Sequence, residues 1–189
     1  AGKRGGEVEV VGARRVDNES ALRIVLLQGV ARGEKMDWIL QKATELGVAG
    51  VLPVTSERSE VRLDPARAEK RLAHWQGVVA SACGQSGRAV VPPVAPPAPL
   101  AEAVAGLPAD ALRLTLDPMA DDAVRRLGDP GGRTVVVAIG PEGGWSSRDR
   151  ATLADAGFSG LRLGPRILRT ETAGIAAISA LQAAFGDLA

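Results

Sequence analysis

The alternation of short apolar segments with longer segments of helical periodicity constrains the fold of this chain more than any other feature. Two of the apolar runs, at residues 112–116 and 134–139, are continuous rather than alternating, which is typical of strands covered on both faces. Repeated strand–helix units of this kind predict an α/β fold with a mainly parallel sheet. Strands are predicted at residues 21–27, 50–54, 112–116, 134–139 and 160–163.

Local signals mark where several helices begin or end. Asp64 precedes Pro65 as an N-cap, and Ser146 with Asp149 resembles a capping box. Gly47 occupies the position of a left-handed C-terminal cap. Together with the periodicity, these signals predict helices at residues 36–46, from 64 to about 84, near 99–105, at 120–127, from 146 to about 156 and from 170 onwards.

Two segments fall outside this alternation. Residues 7–11 begin with period-two alternation and predict a further strand near the N-terminus. Residues 91–99 contain five prolines, which exclude a helix interior or a central strand. We therefore expect an extended connection there.

The composition predicts a folded protein and excludes several kinds of site. With 46% hydrophobic and 24% charged residues, the 189-residue chain can bury a substantial core. The single cysteine, Cys83, excludes an internal disulfide framework, and the single histidine, His74, argues against a histidine-based metal centre. No run approaches the ~18 apolar residues of a membrane span. We expect a cytoplasmic protein without metal or membrane segment.

Three loops at the predicted carboxyl ends of strands are candidates for a ligand pocket. In an open parallel sheet, ligands bind outside those ends. The loops contain residues 117–118 (DP), 140–144 (GPEGG) and 164–169 (GPRILR). The glycines of the second loop allow the backbone to approach a ligand closely, although a purely structural turn has the same composition.

Common nucleotide-binding and catalytic fingerprints are missing from the sequence. It contains no G-x-G-x-x-G after a strand and no G-x-x-x-x-G-K-[ST]. His74 lies within a predicted helix, and there is no G-x-S-x-G elbow. A nicotinamide dehydrogenase, a nucleoside triphosphatase and a serine hydrolase are therefore disfavoured.

Two motifs together carry a resemblance to a known family. Residues 163–173 (LGPRILRTETA) follow residues 140–144 (GPEGG), and the combination is far more specific than either motif alone. Over about residues 21–189, the sequence resembles the RsmE family of SPOUT-class methyltransferases. That family uses S-adenosylmethionine to methylate N3 of uridine 1498 in bacterial 16S ribosomal RNA within the 30S subunit. Further matching segments are residues 41–47 (QKATELG), 56–59 (SERS), 85–88 (QSGR) and 185–187 (FGD).

The resemblance implies a SPOUT methyltransferase fold with a deep C-terminal trefoil knot that holds the cofactor. It also implies a homodimer with each cofactor near the subunit interface. The apolar face of the last helix, from Ile175 to Phe185, is a candidate for that interface or, equally, a face packed on the core. The residues implied to bind S-adenosylmethionine are Leu116, Ile139, Gly140, Gly143, Gly144, Leu163, Gly164, Ile167, Leu168 and Ala173.

Methylation at N3 requires the loss of the uridine N3 proton, which costs roughly 3–4 kcal/mol at neutral pH. Glu142 is the candidate general base, and Arg169 is the candidate for stabilising negative charge on the uracil oxygens or holding a phosphate. Structural roles are the alternatives: Glu142 could bind backbone amides, and Arg169 could pair with Glu171 or Glu142.

RNA contacts are expected from arginines in the matching motifs. The net charge is only +1, so attraction to RNA must come from a local cluster. Arg58, Arg88 and Arg166 are the candidates for phosphate contacts, with an ordinary solvated position as the alternative for each.

The resemblance also divides the chain into two parts. Family members carry an N-terminal PUA-like β-barrel for RNA binding, and residues 1–20 resemble only a remnant of it, whereas residues 21–189 form the methyltransferase domain. Two rival functions remain: another SPOUT enzyme, such as a transfer-RNA ribose methyltransferase, and a noncatalytic RNA-binding or dimerisation module. Residues 166–173 (RILRTETA) favour the uridine-N3 group.

Overall fold

A six-stranded parallel sheet is the frame of the molecule. The computed structural model describes residues 9–13, 15–16, 18–61 and 64–188. Its strands are β1 (Ile24–Gly29), β2 (Gly50–Thr55), β3 (Ala98–Pro99), β4 (Leu112–Leu116), β5 (Val135–Ile139) and β6 (Ser159–Leu161). They lie in the order β3-β2-β1-β5-β4-β6, and all five neighbouring pairs are parallel. The predicted α/β class with a mainly parallel sheet is confirmed.

Helices cover both faces of this sheet. The helices of the described residues are α1 (Glu34–Glu45), α2 (Pro65–Ser86), α3 (Leu100–Ala105), α4 (Ser147–Asp155) and α5 (Thr170–Phe185). Side chains of successive strand residues point to opposite faces. On β1, Leu26 joins the core formed with α1, α2 and α5, and Leu27 joins the core formed with α3 and α4. The result is three layers, helix–sheet–helix.

The central strand β5 explains why its sequence is continuously apolar. Every residue from Val135 to Ile139 is at most 3% exposed, since β5 lies between two strands and under helices on both faces. Burial of one such aliphatic side chain stabilises the fold by about 1.5–3 kcal/mol. On β4 only Leu114 is buried, so the expectation of two covered faces holds for β5 but not for β4.

The predicted helix caps are present. The Asp64 carboxylate accepts a hydrogen bond from the Arg67 backbone N–H at 2.9 Å. Ser146 and Asp149 form a reciprocal capping box, with hydrogen bonds of 2.9 and 3.0 Å. Gly47, just after α1, has a φ of 81°. These local signals are sufficient because a cap is decided within about four residues.

Residues 120–127 do not form the predicted α-helix. Only Val124–Arg126 make a short 3₁₀ turn. The Asp117 carboxylate accepts from the Met119 backbone N–H at 2.9 Å, and the Asp122 carbonyl accepts from the Arg162 backbone N–H at 2.7 Å. The helical prediction is wrong because pairing with the chain after β6 holds this segment extended.

The N-terminal strand predictions also change. β1 begins at Ile24 rather than residue 21, because the Ser20 hydroxyl accepts from the Leu22 backbone N–H in a turn. Residues 9–11 form no strand and are exposed, and residues 7 and 8 lie outside the described residues. Residues 91–99 are extended as predicted. Within them, Val94 forms a bridge to β2, and the last two residues form the short edge strand β3.

The apolar face of α5 packs mainly on the core of this chain. Ile178 and Leu181 are fully buried, and Ile175 and Phe185 are partly buried against the same core. Fully buried side chains are not accessible to a second subunit. The structure therefore supports the core alternative for this face.

Candidate active site

Neighbouring strand ends bring three loops together at one edge of the sheet. β5, β4 and β6 are consecutive in the sheet. The loop after β5 begins at Gly140, the loop after β4 at Asp117 and the loop after β6 at Arg162. The loop after β5 turns tightly: Gly144 has a φ of 65°, and its backbone N–H donates to the Pro141 carbonyl at 2.8 Å. A Cβ on Gly140 would lie 3.1 Å from the backbone of Gly144, so this turn leaves little room for a side chain there.

A cleft of about 370 Å³ opens between these loops and the first turn of α5. This volume falls within the roughly 300–1,000 Å³ typical of small-molecule sites. A cavity of about 90 Å³ shares five of its lining residues, and we call the two together the strand-end cleft. Its lining residues are Leu116, Asp117, Pro118, Ile139, Gly140, Pro141, Glu142, Gly144, Trp145, Arg150, Leu161, Leu163, Gly164, Arg166, Ile167, Leu168, Arg169, Thr170 and Ala173.

Nine of the ten residues that the motifs implied for cofactor binding line this cleft. They are Leu116, Ile139, Gly140, Gly144, Leu163, Gly164, Ile167, Leu168 and Ala173. The exception is Gly143, which lies under Arg58: its carbonyl accepts from Arg58 Nη1 at 3.1 Å, and a Cβ there would lie 3.1 Å from Arg58 Cβ. Gly143 therefore permits a close contact between two loops.

The cleft combines apolar walls with unpaired backbone groups. Trp145 is only 5% exposed and Ile139 only 3%. Within the described residues, the backbone N–H groups of Gly164, Ile167 and Leu168 have no hydrogen-bond partner. Such a surface suits a flat, largely apolar ring whose polar edge is read by the backbone.

A buried hydrogen-bond chain joins β1, the loop after β5 and α5. Thr170 donates its hydroxyl proton to the Gly140 carbonyl at 2.6 Å and accepts from Gln28 Nε2 at 3.0 Å. Gln28 is fully buried and also donates to the Gly29 carbonyl at 2.9 Å. Sequence reasoning missed Gln28; a glutamine within an apolar strand is the signal that would have identified it.

The Glu142 carboxylate is already engaged by neighbouring donors. Its Oε1 accepts from the Arg32 backbone N–H at 3.0 Å and from Lys35 Nζ at 3.3 Å. Burial of the carboxyl raises its pKa, but the backbone N–H groups of Arg32 and Glu142 and the Lys35 ammonium outweigh this, so the pKa lies below its ordinary value. The observed partners match the alternative in which Glu142 binds backbone amides.

Arg169 and Arg166 lie at the mouth of the cleft. Both are exposed, and within the described part of the chain neither side chain forms an ion pair. The Arg169 carbonyl accepts the first backbone hydrogen bonds of α5, from Thr172 and Ala173, so the helix start fixes its position. The alternative pairing of Arg169 with Glu171 or Glu142 is not observed.

Arg58 and Arg88 have different environments. Arg58 is exposed beside the strand-end cleft. Its partner is the neutral Gly143 carbonyl, so no carboxylate among the described residues balances its positive charge. The Arg88 side chain is only 8% exposed and donates to the Glu19 carboxylate, with Nε at 3.1 Å. Its Nη1 also donates to the carbonyls of Thr44 and Val48, both at 2.9 Å. With its donors used in this way, Arg88 is not available to a phosphate, and we withdraw it from the RNA-binding set.

Arg150 is a cleft residue that sequence reasoning did not identify. It lies on α4, four residues after the cap residue Ser146, and lines the cleft beside Arg169. Residues four apart share one face of a helix. The sequence signal for Arg150 is its spacing from the cap: it lies on the same helix face as Ser146, which directly follows the glycine loop and Trp145.

A larger groove of about 920 Å³ lies between α1 and α2. It is more open and is lined mainly by helix surfaces such as Trp38 and His74, without converging loops, so we place the site in the strand-end cleft. Within the described residues, no cluster of three potential metal ligands exists, and no helix is long and apolar enough to cross a membrane.

The chain is similar in sequence to RNA methyltransferases. A family model described as an RNA methyltransferase domain matches residues 18–182. Two relatives are named ribosomal RNA small subunit methyltransferase E: one from Buchnera aphidicola is 36% identical over 90% of this chain and 69% of its own length. The other, from Bacillus subtilis, is 30% identical over 87% of this chain and 67% of its own length. The chain thus spans about two thirds of these relatives.

Solved structures agree with this pattern. A ribosomal RNA small subunit methyltransferase E from Neisseria gonorrhoeae, bound to S-adenosylmethionine, is 45% identical with a TM-score of 0.88, covering 93% of this chain and 72% of its own. A SpoU methyltransferase from Streptomyces viridochromogenes is 16% identical with a TM-score of 0.52, covering 93% of this chain and 62% of its own. The second similarity extends to the fold alone.

Proposed function

This chain belongs to the ribosomal RNA small subunit methyltransferase E family, RsmE, and we propose that it transfers a methyl group from S-adenosylmethionine to N3 of uridine 1498 in 16S ribosomal RNA. The observation that carries the proposal is the convergence of the two motifs on one cleft. Nine residues from segments that are distant in sequence line the strand-end cleft. The names of the relatives point to small-subunit ribosomal RNA as the substrate class, and the Neisseria structure, bound to S-adenosylmethionine, points to the methyl donor.

The strand-end cleft fits S-adenosylmethionine. Its apolar walls would hold the adenine, and the unpaired N–H groups of Gly164, Ile167 and Leu168 would read its edge. Gly164 has a φ of 90°, and a Cβ added there would meet no atom within 4 Å, so this loop leaves open space at the glycine. When bound, the cofactor supplies a methyl group on a positively charged sulfur.

The trefoil knot is part of the same proposal. After β6 at one edge of the sheet, the chain returns across the ends of β4 and β5, and α5 packs on β5 and β1. The contact from Thr170 to Gly140 lies on this return path. A crystal structure traced continuously through residues 112–188 tests the threading; an unthreaded loop at 164–169 would contradict it.

We assign charge stabilisation at the uracil ring to Arg169. Loss of the N3 proton leaves negative charge on the uracil oxygens, and a guanidinium at the cleft mouth stabilises that charge as it develops. Arg169→Ala should lower kcat about 100-fold while the dissociation constant of S-adenosylmethionine changes little. Equal losses in cofactor affinity would move Arg169 from the reaction to the pocket structure.

We assign Glu142 a positioning role rather than that of general base. Its carboxylate already accepts from the Arg32 backbone N–H and the Lys35 ammonium, and these donors hold its pKa below the ordinary value, which makes it a weaker proton acceptor for uracil N3–H. Its bonds to Arg32 and Lys35 tie the loop after β5 to the start of α1. Glu142→Gln keeps an acceptor for the Arg32 N–H, so we expect kcat to fall less than tenfold, whereas loss of a base costs about 10²–10⁴.

The decisive experiment is methylation of 30S subunits that lack this modification. The chain is incubated with methyl-labelled S-adenosylmethionine, and the nucleosides of 16S RNA are analysed by mass spectrometry. We expect N3-methyluridine at a single site. A ribose-methylated product would favour the transfer-RNA-type enzyme, and calorimetry without detectable cofactor binding by the folded chain would favour a noncatalytic module.

The same proposal includes a homodimer that acts on the 30S subunit in the cytoplasm. Because the chain spans about two thirds of its relatives, the assay is repeated with the N-terminal region of a relative fused before residue 21. If residues 1–20 are a remnant of an RNA-binding barrel, the fusion should tighten 30S binding and leave cofactor affinity unchanged. Light scattering of both forms tests the dimer.

A further inference from the structure

The cations at the carboxyl edge of the sheet fall into two groups according to their partners. Three are neutralised by carboxylates on neighbouring loops or helices. These ion pairs are Arg32 with Glu60 at 2.6 Å, Lys35 with Glu142 at 3.3 Å and Arg148 with Glu57 at 3.6 Å. Such pairs tie the loops together and add little to the electrostatic potential at that edge.

The second group has no carboxylate partner within the described residues. Its exposed members include Arg58, Arg150, Arg166 and Arg169. Three of these stand in motif loops, whereas Arg150 stands on α4. Arg150 and Arg169 line the same 370 Å³ cleft. Of the two acidic residues that line the strand-end cleft, Glu142 is already paired with Lys35, and Asp117 stands against three arginines, so the cleft retains a net positive charge.

We propose that Arg150 binds a phosphate of the substrate RNA next to the methylated nucleotide, so that α4 forms one wall of the RNA-binding surface. This inference rests on the proposed function and adds a contact outside the motif loops. Arg150 and Arg169 reach the cleft from different elements, α4 and the start of α5. Arg150 therefore holds the backbone of the target nucleotide from α4, while Arg169, at the start of α5, faces the uracil ring that enters the cleft.

Phosphate of the RNA is a better match for Arg150 than the carboxylate of the cofactor. Arg150 is exposed, whereas the apolar surfaces and unpaired N–H groups proposed for the cofactor come from the loops at 140–144 and 163–168. A flexible, solvated guanidinium binds a phosphate with little desolvation cost. The carboxylate alternative makes a different prediction for cofactor affinity.

The test measures binding of the chain to unmethylated 30S subunits as a function of salt, together with cofactor affinity by calorimetry. Arg150→Ala should weaken 30S binding roughly three- to tenfold at low salt and reduce the slope of log K against log salt by about 1. Arg150→Lys should retain most of the slope. Arg148→Ala is the matched control on the same helix, since Arg148 is 83% exposed, paired with Glu57 and outside the cleft.

The outcomes separate this inference from the proposed function. If the unsubstituted chain produces no N3-methyluridine, the proposed function fails. If it does, and Arg150→Ala has the same slope as Arg148→Ala, the RNA contact at Arg150 is excluded. Weaker cofactor binding by Arg150→Ala, with an unchanged salt slope, would assign Arg150 to the cofactor carboxylate and also overturn the inference.

Discussion

At the scale of single residues, the partners of a charged side chain decide its role. Glu142 and Arg88 both belong to sequence motifs that predict contact with substrate. In the structure Glu142 accepts from Arg32 and Lys35, and Arg88 is enclosed by Glu19 and two carbonyls. Because both side chains bind partners within the protein, Glu142 is assigned a positioning role instead of that of general base, and Arg88 a structural role instead of RNA binding.

The Glu142 interactions predict a pH-dependent contribution to stability. The pKa of the folded carboxyl lies below 4.5, so its stabilisation is fully present above that value and is lost as pH falls through the folded pKa. Glu142→Gln should lower the free energy of unfolding at pH 7 by about 1 kcal/mol, and the difference should shrink below about pH 4.5. Urea unfolding at several pH values measures this.

The exposed Glu102, in the first turn of α3, provides the control for that series. Glu102→Gln should leave the unfolding free energy within about 0.5 kcal/mol at every pH. If Glu142→Gln changes the free energy of unfolding by the same amount at pH 7 and pH 4, the contribution of Glu142 to stability comes from packing and not from its charge.

Arg88 is predicted to matter for stability and not for RNA binding. Its removal leaves the Val48 carbonyl without a donor and takes the guanidinium away from the Glu19 carboxylate, which keeps only the backbone N–H groups of Ala89 and Val90. Arg88→Ala should therefore lower the free energy of unfolding by about 2–3 kcal/mol. The control Arg67→Ala removes a side chain that is 75% exposed and should cost less than about 1 kcal/mol. A reduced salt slope for 30S binding, with full stability, would restore Arg88 to the RNA surface.

At the scale of elements, the site is a junction of strand ends with the start of one helix. The Thr170 hydroxyl fixes the first turn of α5 to the Gly140 carbonyl, and Gln28 holds both against β1. A Cβ on Gly29 would lie 2.4 Å from the Pro141 backbone nitrogen, so β1 and the loop after β5 are in close backbone contact. The relative placement of the two cleft motifs depends on these contacts.

This junction predicts a difference between two substitutions of Thr170. Thr170→Val leaves the Gly140 carbonyl without the hydroxyl donor and removes one of the two acceptors of Gln28 Nε2, so it should weaken S-adenosylmethionine binding about five- to tenfold. Thr170→Ser keeps the hydroxyl and should bind almost as well as the unsubstituted chain. Calorimetry below the thermal transition measures this.

Thr172, on the exposed side of the same helix turn, provides the control Thr172→Val, for which we expect no change in cofactor affinity. If Thr170→Ser binds the cofactor as weakly as Thr170→Val, the methyl group rather than the hydroxyl of Thr170 positions the loop.

Elements whose boundaries are set by local signals were predictable from sequence. β4 spans the predicted residues 112–116, and the caps at Asp64 and Ser146 start α2 and α4 as expected. Residues 120–127 were not predictable in the same way. Their conformation depends on a backbone contact between Asp122 and Arg162, forty residues along the chain, which no local pattern contains.

At the scale of the whole molecule, the near-zero net charge takes on meaning only through its distribution. Positive charge is uncompensated at the carboxyl edge of the sheet, where Arg58, Arg150, Arg166 and Arg169 lack carboxylate partners within the described residues. Elsewhere arginines such as Arg88 are paired internally. A neutral chain with one basic edge suits an enzyme that binds one site on a large RNA particle rather than RNA in general.

The sequence by itself determined the parallel α/β class, most strands and caps, and the motifs whose residues line the cleft. These depend on periodicity and on chemistry within a few residues, which the order of amino acids carries directly. Only the tertiary structure decided that Glu142 and Arg88 are bound by internal partners, that Gly143 lies under Arg58, and that Arg150 borders the cleft. Those facts are contacts between distant segments, and a side chain's charge, pKa and accessibility depend on which segments meet.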